Sequence, residues 1–95
     1  MVKLIWTDQA IEDLGNIGDY IALNSEKYAK LTVKKLYERM DVLKIFPKSG
    51  RIVPEKNEED IRELIEGNYR IIYEIFSDEL VYILTVHHSA RDLRI

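Results

Sequence analysis

Cysteine is absent from this 95-residue chain, which excludes disulfides and thiolate metal sites together. Proline occurs twice and glycine four times, too sparse for a fibrous or low-complexity sequence. No apolar run approaches the ~20 residues needed to span a bilayer. The opening Met1-Val2-Lys3-Leu4-Ile5-Trp6 is too short for a secretory leader and lacks a cleavage region. Phosphate-binding glycine loops, zinc-protease helix motifs and serine-nucleophile motifs are also missing. Histidine is confined to the adjacent pair His87-His88. Neighbours on a strand face opposite ways, so the pair is poorly placed to chelate one ion. Neither a metal nor a cofactor is expected, no membrane contact is expected, and the cytoplasm is the expected compartment.

The composition is 46% hydrophobic and 33% charged, enough apolar material for one domain, residues 1–95, around one core. The net charge of −3 is unevenly spread: residues 1–50 carry eight Lys/Arg and seven Asp/Glu, residues 51–95 six and ten. Most of the acid excess lies in Glu55-Lys56-Asn57-Glu58-Glu59-Asp60, which reads as a solvated loop. An acidic balance argues against affinity built mainly on phosphate contacts, while leaving room for a local basic patch.

Patterning gives the order of elements. Lys3 to Trp6 is a short apolar strand, and Thr7 caps a helix whose Ala10, Leu14, Ile17 and Ile21 recur at helical spacing. Gly15 and Gly18 inside that helix predict close approach of a second one. Asn24-Ser25 interrupts the first helix, and Ala29, Val33, Leu36, Met40 and Leu43 form the stripe of the second, which Pro47 ends. Lys27, Lys30 and Lys34 share a solvated face of that helix. Ile61 to Glu66, Tyr69 to Phe76 and Leu80 to His87 read as three strands, the first two joined by a Gly67-Asn68 turn. The expected fold class is α+β: an N-terminal strand, an antiparallel helical hairpin, then a three-strand antiparallel meander forming a small twisted sheet.

Period-two alternation sorts the last two strands by face. Tyr69, Ile71, Tyr73, Ile75, Val81, Ile83, Thr85 and His87 form the more apolar set, expected to meet the helices. Arg70, Ile72, Glu74, Phe76, Tyr82, Leu84, Val86 and His88 form the other. If Phe76 pairs with Leu80, Arg70 lies opposite Val86 with His88 its diagonal neighbour at roughly 7–8 Å. The Gly67-Asn68 turn sets Ile65 opposite Arg70 and Glu63 opposite Ile72. Arg70, Glu63, Glu74 and His88 then make one patch, with Arg91 following, conditional on register. Such a patch has the parts for acid–base chemistry on a phosphodiester: His to deliver a proton, Arg to hold phosphoryl charge. The structural reading stands beside it and weighs more: Arg70 with Glu63 or Glu74 as a cross-strand ion pair, and His87 as a hydrogen-bonded core histidine.

Trp6-Thr7-Asp8-Gln9-Ala10, Asp13-Leu14, Tyr20-Ile21, Phe46-Pro47-Lys48-Ser49-Gly50-Arg51, Asn68-Tyr69-Arg70 and His88-Ser89-Ala90-Arg91 occur in an order that resembles the RelE/ParE superfamily of type II toxin–antitoxin toxins, or plasmid stabilisation proteins. The resemblance covers almost the whole chain and leans to the ParE-type branch. It implies a growth-arresting toxin silenced by a cognate antitoxin in a hetero-oligomeric complex. ParE-like members poison DNA gyrase; RelE-like and YoeB-like members cut messenger RNA on the ribosome without metal. A third possibility is a copy that only binds its antitoxin.

For the RNA-cleaving branch the resemblance implies catalytic roles for Arg70, His88 and Arg91, with Glu63 beside them. Ile61 and Glu63 stand where that branch keeps catalytic lysines, however, and the chain given stops at Ile95 without its C-terminal tyrosine. The resemblance therefore implies gyrase as target, with the ribosome and its mRNA as the alternative. For antitoxin binding, Phe76 and Tyr82 are candidate anchors.

Overall fold

The structure, a computed structural model, describes residues 1–90. The Arg91 assignment lies outside the described residues. Strand β1 (Lys3–Trp6) leads into helix α1 (Asp8–Ala22) and helix α2 (Glu26–Arg39). Two 3-10 segments, Met40–Lys44 and Pro47–Ser49, then connect to β2 (Arg51–Ile52), β3 (Ile61–Glu66), β4 (Tyr69–Ser77) and β5 (Leu80–His88). Both helices start where the capping residues place them: the Thr7 hydroxyl accepts from Ala10 N–H and the Ser25 hydroxyl from Tyr28 N–H. The α-helix of the second segment stops at Arg39, and the 3-10 turn that follows keeps Met40 and Leu43 in the core.

The sheet order is β1-β5-β4-β3-β2, with β1 parallel to β5 and every other pair antiparallel. This is the expected α+β architecture with one more strand, the two-residue β2. Gly67 takes a positive φ of 57° in the turn that pairs Glu66 with Tyr69. The main core joins Ala10, Leu36, Met40 and Leu43 from the helical side to Ile71, Tyr73, Val81, Ile83 and Val86 of the sheet. A smaller cluster on the outer face, Val53, Ile61 and Ile72 with Leu84 against it, lies under the segment that follows β2. Of the two helix glycines, only Gly18 answers to a close approach: a Cβ there would stand 3.3 Å from Val33 Cγ2, whereas at Gly15 it would meet open space. Among the described residues no helix is long and apolar enough to cross a membrane.

The β4–β5 register departs from strict alternation. From Tyr73↔Ile83 to Ile75↔Val81 it is the expected one, but Leu80 pairs with Ser77 rather than Phe76, so β4 carries one extra residue at Phe76, and Ile72 pairs with Thr85, so β5 carries one at Leu84–Thr85. Leu84 packs on the outer cluster, while Thr85 reaches back to α1 and Val86 enters the main core. Beyond the bulge the faces exchange. Arg70 is opposite His87 rather than Val86, and His88 is opposite Tyr69.

The bulge lies where β5 loses its β1 neighbour, since β1 pairs only as far as Trp6↔Ile83. Helix α1 takes over the exposed backbone groups there. Thr7 N–H donates to Ile83 O (3.1 Å), its hydroxyl lies 2.8 Å from the same carbonyl, and Asp13 Oδ2 accepts from Val86 N–H (3.0 Å) and from the Thr85 hydroxyl.

Candidate functional site

Arg70 sits mid-sheet on the outer face, 7% exposed, where a guanidinium requires partners. It has two. Its Nη1 and Nη2 form a fork on the Glu55 carboxylate at 2.8 and 2.9 Å, and its Nε donates to Glu63 Oε1 at 2.5 Å. The other oxygen of Glu63 accepts from Arg51 Nε. Four charges thus alternate as Arg51, Glu63, Arg70 and Glu55, with the Glu63 side chain fully buried and that of Arg51 65% exposed. The cluster is neutral.

Each member is placed by a separate element. Glu63 and Arg70 come from adjacent strands, diagonal across the Ile65↔Arg70 pair. Arg51 is opposite Glu63 through the β2–β3 pairing. Glu55 is delivered by the turn after β2, in which Lys56 and Asn57 N–H groups donate to Val53 O at 3.1 and 2.8 Å. Val53 is wholly buried there and anchors the turn over the sheet.

The electrostatics follow the geometry. The Arg70 hydrogen bonds hold the Glu55 carboxyl down to about 2, with a small contribution from the facing His87. Arg70 is pushed up in turn, first by its bond to Glu55 and against the effect of burial. A depressed carboxylate stabilises the fold fully above its unfolded value of 4.5 and loses that contribution as pH falls towards about 2. Glu55→Gln is therefore expected to flatten the fall in urea midpoint between pH 4.5 and pH 2 relative to the parent. Parallel acid profiles for the two proteins would show that the fork contributes nothing.

Of the residues singled out from the sequence, Arg70 and Glu63 are in contact. Glu74 lies on the same face, opposite Ile61, and belongs to none of these ion pairs. His88 does not join them. The bulge turns it to the helix side, where its ring meets Tyr69 edge-on at 5.6 Å between centroids and Nδ1 accepts from Ala90 N–H at 3.1 Å. There it lines a cleft with Asn16, Ile17, Tyr20 and Tyr69. His87 takes its place across from Arg70, the reverse of the expected assignment to the helix side.

Sequence reasoning missed Arg51, Glu55 and His87 as neighbours of Arg70. Glu55 reads as part of a solvated acidic run, and only the turn geometry separates it from Glu58 and Glu59. Arg51 directly follows a glycine buried under Tyr73, a signal that exists only once the strands are paired.

In chemical terms Arg70 is an arginine already answered by carboxylates. Three of its N–H directions are taken, its side chain is 9% exposed, and a phosphate would have to displace Glu55 to reach it.

Residues 4–93 match the family described as the ParE toxin of type II toxin-antitoxin system, parDE. A Caulobacter vibrioides protein named Toxin RelE2 is 32% identical over 91 residues, spanning 96% of this chain and 99% of that one. The fold is similar to one in the chromosomal ParDE system from P. aeruginosa, with a TM-score of 0.75, 24% identity and 93% and 96% of the two chains covered. It is also similar to one in the RelBE2 toxin-antitoxin complex from Mycobacterium tuberculosis, with a TM-score of 0.59, 19% identity and 92% and 96% covered. These two likenesses concern the fold alone.

Proposed function

Because this chain belongs to the ParE toxin family of type II toxin–antitoxin systems, we propose that it arrests bacterial growth in the cytoplasm by poisoning DNA gyrase and that a cognate antitoxin silences it. The names of its relatives divide between ParE and RelE, so the choice of target rests on the site. The observation that carries the reading is the carboxylate clamp on Arg70. A ribonuclease of this architecture needs that guanidinium turned towards a scissile phosphate, whereas here two carboxylates neutralise it and would repel an incoming polyanion.

The antitoxin has a natural seat along the helical hairpin. The groove between α1 and α2 has a floor of Gly18, Ala22, Ala29 and Val33, with Lys30 and Lys34 at its edge.

Ribosome-dependent RNA cleavage stays as a second reading on one observation, the placement of His87 opposite Arg70, which sets an imidazole beside the cluster. Pulse-labelling after induction in a bacterium lacking the antitoxin separates the two. An early fall in thymidine incorporation, with methionine incorporation intact, is expected. An early collapse of methionine incorporation instead would overturn gyrase as the target and make Arg70 and His87 the first residues to substitute.

A further inference from the structure

The outer face of the sheet is covered unevenly. Its β2–β3 half lies beneath the segment after β2, where Val53 seals Ile61 and Ile72. Among the described residues, the half built by β1, β5 and the end of β4 carries no such layer. There Ile5 is beside Tyr82 in the parallel β1–β5 register, and Phe76 packs edge-on against Tyr82 with centroids 5.6 Å apart. Phe76 is nonetheless 65% exposed, an aromatic ring held in place by a neighbour and open on its other side.

The charges around this stripe have one dominant sign. Glu74 shares the face opposite Ile61, Asp78 and Glu79 form the β4–β5 turn, and the Glu58-Glu59-Asp60 run joins the edge through Asp60 O, which accepts from Ile75 N–H at 2.8 Å. Two exposed cations are set against them, Lys3 beside Leu80 and Lys48, whose Nζ lies 3.9 Å from Glu59 Oε1. Helix α2 is the opposite case, with Lys27, Lys30, Lys34 and Lys35 all exposed on it.

We propose that the uncovered half of the outer sheet face, built on Ile5, Phe76 and Tyr82 and rimmed by Glu74, Asp78 and Glu79, docks an amphipathic basic segment of the toxin's protein target. The assignment rests on the reading that the target is a protein. An acidic rim repels a nucleic-acid backbone and favours a segment whose apolar side is flanked by Lys or Arg. Phe76 is the anchor, a rigid ring offered at low conformational cost beside a second aromatic.

Two measurements keep the surface and the target apart. In fluorescence titration, an amphipathic Leu/Lys helical peptide is expected to bind the intact chain, and Phe76→Lys to weaken it by about tenfold or more. Asp78→Lys with Glu79→Lys, in the solvent-exposed turn, is expected to weaken it severalfold without touching the core. A Leu/Glu peptide of the same pattern should bind the parent more weakly than the Leu/Lys peptide does, and the Asp78→Lys with Glu79→Lys reversal should strengthen it. Equal binding of both peptides, or Leu/Lys binding that ignores Phe76→Lys, overturns the docking surface. Separately, purified DNA gyrase is assayed for supercoiling with the parent and Phe76→Lys proteins. Inhibition by the parent that Phe76→Lys matches only at about tenfold higher concentration supports surface and target together. Inhibition equal in both proteins overturns the surface alone. No inhibition by the parent overturns gyrase as the target, while the peptide titration still decides the surface.

Discussion

Gly50→Ala is expected to cost the fold about 3–5 kcal/mol, the overpacking of a filled site added to a broken buried hydrogen bond. The backbone at Gly50, φ −78° and ψ 159°, suits any residue, so the cost is one of space. A Cβ there would overlap the Glu63 carbonyl oxygen and stand 2.6 Å from Tyr73 Oη, and the first of these is strand backbone that cannot swing aside. Tyr73 is itself fully buried and polar at its tip. Its hydroxyl donates to Pro47 O at 2.7 Å and accepts from Gly50 N–H at 2.9 Å, clamping the 47–50 turn to the sheet.

Thermal unfolding by circular dichroism checks the expectation. At about 4–8 °C per kcal/mol for a domain of this size, Tm should fall by roughly 12–40 °C. Gly15→Ala, where a Cβ meets open space in a helix interior, is the control and should be neutral or slightly stabilising. Similar behaviour of the two variants would refute the close packing at Gly50.

The second large effect is at Arg70. Arg70→Met removes a buried guanidinium of nearly the same length and leaves the Glu63 carboxylate, wholly inside, with only the exposed Arg51 to answer it. Breaking a buried pair from one side costs about 3–5 kcal/mol, because the surviving charge is stranded in a medium that solvates it poorly. Adding Glu63→Leu removes the stranded charge, and the double variant should recover much of the loss. Denaturant titration of the four proteins completes the cycle.

The same four proteins bear on function. A destabilised toxin arrests growth poorly whatever its mechanism, so loss of toxicity in Arg70→Met alone says nothing about chemistry. Growth arrest restored in the double variant would mean that Arg70 and Glu63 serve the fold. Arrest that stays lost in a restabilised protein would mean that they touch a substrate.

Much of this architecture was legible in the residues. Thr7 and Ser25 mark helix starts because an orphan helix N–H needs an acceptor, and that need is local. Gly67-Asn68 marks a two-residue turn because positive φ is open to glycine, and the β3–β4 register followed correctly as far as Glu63↔Ile72. The helical hairpin and the apolar face of the sheet followed from period alone.

What failed was parity along β5. One extra residue at Leu84–Thr85 exchanges every side chain beyond it, so the wrong histidine was assigned to the face of Arg70. No local pattern announces that residue, because it is stabilised by Thr7 and Asp13, more than seventy positions away in the chain. Glu55 is the same kind of miss: its partner Arg70 is fifteen residues on and reached only after two strands have paired.

The sequence by itself determined the two helices and four of the five strands, their order, the α+β class and the acidic balance that weighs against a phosphate-binding surface, because caps, turns and periodicity depend on neighbours a few residues apart. Only the tertiary structure decided which histidine faces Arg70, that Glu55 and Glu63 occupy the guanidinium, and that Phe76 stands exposed against a half-buried Tyr82 beside an acidic turn. Those are matters of pairing between distant strands, where a one-residue bulge or a turn placed over the sheet changes which side chains meet without changing any local pattern.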